Sequence, residues 1–221
     1  MEKKAASLSC ITTALLISLL TWANVFAASG EDIFKSNKCG DCHNMTGSPA
    51  KSFEEQQKRK APDLWYAGSK YQEEWLENYL QKPANVRPLA FGSVTDKNKL
   101  EHPALSAADA KSITGYLASL TSSAVKKGAV KKADKGVRGK LLFKKKQACY
   151  GCHRIPGKGG KESGGFSGPS LVGAGKRLQG DWMYSFLKDP ESFVGAGRMP
   201  HYKHLKANEI KKLSEYMMSF Q

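Results

Sequence analysis

Cys39-Gly40-Asp41-Cys42-His43 and Cys149-Tyr150-Gly151-Cys152-His153 are the two stretches on which this chain turns. In each, two thiols stand three positions apart and a histidine follows the second. Cys-x-x-Cys-His is the pattern that attaches a c-type haem. Each thiol can form a thioether to a haem vinyl group, and the adjacent histidine is then held under the ring as proximal iron ligand. A four-cysteine zinc site or a pair of local disulfides would use the same cysteines. The histidine after each pair, and its repetition, favour haem. Cys39, Cys42 and His43 are therefore expected to hold one haem, and Cys149, Cys152 and His153 a second.

Outward from the motifs the chain repeats itself. Ala61-Pro62-Asp63-Leu64 answers Gly168-Pro169-Ser170-Leu171, and Ala67-Gly68 answers Ala174-Gly175. Trp75-Leu76, Tyr79-Leu80 and Pro83 answer Trp182-Met183, Phe186-Leu187 and Pro190, all at one offset of 107. Farther on, Leu105, Ile113, Tyr116, Leu117 and Leu120 answer Leu205, Leu213, Tyr216, Met217 and Phe220 at an offset of 100. The periodicity is helical. Ala110, Ile113, Leu117 and Leu120 share one face, as do Ile210, Leu213, Met217 and Phe220. Ser106, three residues before Asp109, is placed to cap the first of these helices. Trp75 with Tyr79, and Trp182 with Phe186, lie at i, i+4 and predict an aromatic stripe on a preceding helix. No strand-like alternation is apparent. Each unit is smaller than about 100 residues, where a core of side chains alone is marginal; an enclosed porphyrin resolves that difficulty.

The first 27 residues stand apart. Lys3 and Lys4 precede an apolar run from Ile11 to Leu20, and Val25-Phe26-Ala27 offers a small-residue cleavage signal. That layout predicts a signal peptide over 1–27, cleaved after Ala27, and a periplasmic or otherwise exported mature chain. Thr12, Thr13, Ser18, Thr21 and Asn24 dilute the run relative to a spanning helix. Cys10 leaves with the segment. The units fall at 28–120 and 137–221, joined by 121–136, whose Ser, Ala, Gly and Lys content marks a basic linker.

Both halves resemble class I cytochromes c, and residues 30–221 resemble the tandem dihaem members of that group. The two Cys-x-x-Cys-His motifs, the Pro-x-Leu segments at Pro62 and Pro169, the Trp-centred helices and the terminal helices with Tyr116 and Tyr216 carry the resemblance. It implies an all-α fold: two tandem domains, each a small bundle of three or four helices around one covalent haem c. It also implies that a methionine, commonly followed by proline, closes the far side of the iron from a loop before the last helix. Arg198-Met199-Pro200 stands there in the second unit, so Met199 is the expected sixth ligand of haem 2. The first unit departs from the pattern. Its one mature methionine, Met45, follows His43 too closely, and at the matching place stands His102-Pro103. His102 is the expected sixth ligand of haem 1, with a lysine or an open site as the alternatives. Pro83 to His102 is also ten residues longer than its counterpart.

Thioether sulfur favours ferrous iron, whereas a second imidazole is the better donor to ferric iron. Haem 1 is thus expected to be the low-potential centre and haem 2 the high-potential one. The expected activity is single-electron carriage with no catalytic residues. The alternatives are a dihaem peroxidase, a sulfur-compound oxidising cytochrome, or a haem-bearing subunit or gas sensor. Peroxidases of this kind resemble longer chains, and the thiosulfate enzymes use a cysteine on iron that this chain does not have to spare.

The formal charge is +15, or +14 once 1–27 is removed. From Lys126 to Lys146 ten cationic side chains face Asp134 alone. Such a run is either a solvated linker or a docking patch for an acidic redox protein or membrane redox complex. Anionic lipid headgroups are a further possible counter-surface; nucleic acid is not an expected partner.

Overall fold

In each half of the chain a first helix crosses a last one where a glycine lets them touch. The computed structural model describes residues 28–47, 49–90 and 93–221. The expected signal peptide, 1–27 with Cys10, lies outside the described residues. The N-terminal half runs α1 (Gly30–Ser36), a 3₁₀ turn at Cys39–Asp41, α2 (Phe53–Lys58), α3 (Ala67–Lys70), α4 (Glu73–Gln81) and α5 (Ala107–Ser119). The C-terminal half runs α6 (Val137–Leu141), a π-helical turn at Leu142–Lys146, α7 (Cys149–Cys152), α8 (Ala174–Arg177), α9 (Gly180–Lys188), α10 (Glu191–Val194) and α11 (Ala207–Met218). With 46% helix and 4% strand the protein is all-α. The one strand pair among the described residues, β1 (Ile155–Pro156) with β2 (Glu162–Ser163), is two residues a side, too short to leave an alternation in the sequence.

Capping explains where the long helices begin. The Ser106 hydroxyl accepts the Asp109 N–H at 3.1 Å, as its spacing predicts, and Ser29 with Asp32 forms a full capping box on α1. A Cβ on Gly30 would collide with the Ser112 carbonyl of α5. One on Gly139 would lie 2.6 Å from the Lys212 carbonyl and 2.7 Å from the Tyr216 Cβ of α11. The helical faces read from sequence are the ones buried: Ala110, Ile113 and Leu117 with Phe34, Leu76 and Leu80 in one half, Ile210, Leu213, Met217 and Phe220 with Phe143, Trp182 and Leu187 in the other. Both aromatic stripes stack as expected, Trp75 on Tyr79 at 4.8 Å and Trp182 on Phe186 at 4.7 Å.

The halves meet across a pseudo-two-fold relation, as copies of one unit would. Tyr71 and Leu178, 107 residues apart, pair as an antiparallel bridge. On either side of it the Lys70 ammonium lies 5.0 Å from the Trp182 ring and the Arg177 guanidinium 5.9 Å from the Trp75 ring. These are crossed cation–π contacts between equivalent residues. One feature breaks the symmetry. Trp65-Tyr66 stands where the second unit has Val172-Gly173, and Tyr66, 2% exposed, enters the C-terminal core beside Trp182 and Phe193.

Residues 121–136 join the halves, but not as a free tether. Val125 is buried, Lys126 N–H donates to Ser185 Oγ at 2.8 Å, and the Asp181 carboxylate accepts the N–H groups of Gly128 and Val130 at 2.6 and 2.9 Å. Asp134 N–H then reaches the Glu215 carbonyl at 2.9 Å. The segment is a strap along α9 and α11. Its hold is mainly backbone N–H bonding to acceptors on α9 and α11, which composition does not reveal.

Candidate haem sites

Each motif opens on a residue in the left-handed region. Lys38 (φ 54°) and Ala148 (φ 53°) are the non-glycine residues of positive φ among those described, and each immediately precedes the first cysteine. Strain of this kind persists only where the surroundings hold it. A single helical turn follows, closed by His43 N–H and His153 N–H on the carbonyls of Cys39 and Cys149, both at 3.0 Å. Each histidine thereby lies one turn past its first cysteine. Cys39 is half-buried and Cys149 buried, and burial pushes both thiols up; Cys42 and Cys152 are exposed. None of the four is in a disulfide.

The two histidines are fixed alike. His43 Nδ1 lies 2.7 Å from the Pro62 carbonyl and His153 Nδ1 2.7 Å from the Pro169 carbonyl. A carbonyl only accepts, so each Nδ1 carries the hydrogen and each Nε2 keeps its lone pair. Burial pushes both imidazoles below their ordinary pKa and favours that neutral form. The Pro-x-Leu repeat thus has a function that the sequence did not reveal: its proline carbonyls orient the histidines. At Gly168 a Cβ would sit 2.7 Å from His153 Cε1, so the backbone itself forms the wall behind that ring.

His102 faces His43, with ring centroids 6.2 Å apart and planes inclined at 62°. Its Nδ1 lies 2.9 Å from the Pro103 carbonyl, which again leaves Nε2 as the free lone pair. A metal–imidazole nitrogen bond is about 2 Å, so two rings sharing one metal have centroids about 6 Å apart. Tyr79 packs edge-on against His102 at 5.5 Å. The loop register also matches across the repeat. Leu105 N–H donates to the Leu80 carbonyl at 2.9 Å, and Tyr202 N–H to the Leu187 carbonyl at 3.1 Å. His102 lies three residues before the first donor and Met199 three before the second. Met199 is half-buried against the C-terminal core, whereas Met45 packs on the N-terminal core, and Met183 and Met217 are buried core residues.

These residues fit a haem c. They offer unbridged thiols in pairs and imidazoles with a free Nε2. Two further features had no sequence assignment: the buried Trp182 indole N–H, which has no hydrogen-bond partner among the described residues, and Arg177, a cation only 6% exposed. A buried cation and an orphaned donor suit the carboxylates of a haem. The matched positions of Lys70 and Arg177 in the repeat were the available signal for this pair. A shared zinc site does not fit, because among the described residues no three His, Cys, Asp or Glu side chains gather closely enough to hold a metal.

The family model for cytochrome c matches the chain twice, over residues 27–121 and 136–221. No curated protein and no solved structure matches it.

Proposed function

This chain belongs to the cytochrome c family, with two of its domains in tandem, and on that premise we propose that it is an exported electron carrier whose first centre is held by His43 and His102 and its second by His153 and Met199. Haem-based electron transfer follows from the family itself. Haem iron, when bound, supplies the one-electron couple. The chain's residues hold it, set its potential and display it to partners. The observation that carries the proposal is the His43–His102 pair, facing at 6.2 Å with both Nδ1 atoms committed to carbonyls. Two imidazoles on one side and imidazole with thioether on the other make the N-terminal domain the lower in potential. Electrons then run from the N-terminal domain to the C-terminal one, across the interface of Lys70, Trp75, Arg177 and Trp182.

With His102 and Met199 as the second side-chain ligands, neither centre would leave a position for substrate, which separates a carrier from a peroxidase or sensor. The basic strap fits docking. Lys126, Lys127, Lys131, Lys132 and Lys135 are exposed along it, and Lys140, Lys145 and Lys146 continue the exposed cations toward Cys149. An acidic redox partner is the matching surface. The test is a potentiometric titration of the two-haem protein with carbon monoxide added to the reduced form. Two separate one-electron steps and an unaltered spectrum support a carrier. Carbon monoxide binding at either centre contradicts it.

A further inference from the structure

The loop from Pro83 to His102 uses its extra length on the other domain. Its residues 88–90 and 96–98 pair as the two arms of a narrow hairpin: Leu89, buried, bridges Lys97, with Ala90 N–H on the Asp96 carbonyl at 2.9 Å and Asn98 N–H on the Pro88 carbonyl at 3.0 Å. At the base of the hairpin two bonds cross to the C-terminal half. The Val86 carbonyl accepts Ser170 N–H at 2.7 Å, and Arg87 Nη1 donates to the Ser167 carbonyl at 3.4 Å.

Those bonds bracket Gly168-Pro169, the two residues that fix His153. The Pro169 carbonyl takes the His153 Nδ1–H, and Gly168 leaves no room for a Cβ against the ring. The equivalent stretch beside His43 is braced from within its own domain: Asp63, at the place of Ser170, takes Arg59 at 3.4 Å. Arg87 also brings a charge. Its guanidinium, bonded to the Ser167 carbonyl, stands one residue from Gly168, whose backbone lies against the His153 ring. A positive charge near an iron favours the state that has gained an electron, and the more so where water is excluded.

We propose that Val86-Arg87 of the N-terminal domain is part of the second haem's site, positioning His153 through the Ser167–Ser170 stretch and raising that haem's potential with the Arg87 charge. The proposal rests on family membership and on His153 as proximal ligand, and is independent of the His102 assignment. Arg87 is a positioning residue, so the readout is a potential and not a turnover. In titrations of the two-haem protein, Arg87→Gln should lower the midpoint of haem 2 and leave that of haem 1 in place, while Arg87→Lys should keep most of the wild-type value. An unmoved haem 2 midpoint in Arg87→Gln overturns the proposal. So does a Lys variant that behaves like Gln, or a shift of both midpoints together.

Discussion

Gln72 and Gln179, 107 residues apart, join the two domains with the same bonds made in opposite directions. Gln72 N–H donates to the Arg177 carbonyl at 2.9 Å, and Gln179 N–H to the Lys70 carbonyl at 2.8 Å. Their side chains repeat the exchange, Gln72 Nε2 on the Leu178 carbonyl at 3.3 Å and Gln179 Nε2 on the Tyr71 carbonyl at 2.8 Å. Gln179 alone adds a bond to the Gly68 carbonyl, at 2.7 Å. The interface is therefore symmetric in plan and unequal in strength.

Gln179→Ala removes two short bonds to partly buried carbonyls and should weaken domain docking by about 1–3 kcal/mol. Gln72→Ala, losing one longer bond, should cost less. Denaturant unfolding of both variants checks the order; equal losses would count against it.

Tyr66→Ala should act on the domain to which Tyr66 does not belong. Its ring fills the C-terminal core, so truncation should cost about 3–5 kcal/mol there, in the range of large-to-small aromatic changes. Calorimetry should show the C-terminal transition falling, with the haem 1 spectrum unaltered. Tyr66→Phe should be nearly silent in both readouts.

Much of this was legible in the sequence, and the rest was hidden for identifiable reasons. The repeat, the helical faces around Ile113 and Leu213, the Ser106 cap and the stacked Trp-centred stripes follow from periodicities that the structure reproduces. The tandem domain plan follows from the two motifs and agrees with the double family match. The strap was hidden because Asp181 holds it through the N–H groups of Gly128 and Val130, and backbone bonding has no composition. Tyr66 was hidden because it breaks the repeat where a symmetric reading expects Val172-Gly173. The extra length before His102 was visible, but its destination was not, since the Ser170–Val86 bond pairs residues far apart in sequence.

The strap's end should respond to pH. Asp134 is held below the ordinary carboxylate range by the Lys212 ammonium, bonded at 3.0 Å, and by Gly136 N–H at 2.8 Å. A depressed pKa in the folded state gives stability that is present above the unfolded value, near 3.8, and is lost as pH falls through the folded one. Amide exchange around Lys131–Lys135, taken relative to the intrinsic rate at each pH, should therefore be slow at neutral pH and quicken below the ordinary carboxylate range. Asp134→Asn should show the quickened exchange already at neutral pH.

Association with an acidic partner should slow as ionic strength rises, because the exposed lysines of the strap would act on it through a field that salt screens. Reversing Lys131, Lys132 and Lys135 to Glu should lower the association rate by about tenfold or more at low salt, with little change at high salt. Stopped-flow oxidation by an acidic acceptor reads this directly. An unchanged rate at low salt would make the strap structural only.

The most direct test is the ligation of haem 1 in the oxidised protein, read by low-temperature magnetic spectroscopy with and without His102. The wild type should give two low-spin ferric signals, one bis-histidine and one histidine–methionine, with the bis-histidine centre lower in potential. His102→Ala should convert that centre alone to high spin and open it to carbon monoxide when reduced. A wild-type haem 1 that is already high-spin, or a His102→Ala variant with an unchanged spectrum, would contradict the assignment.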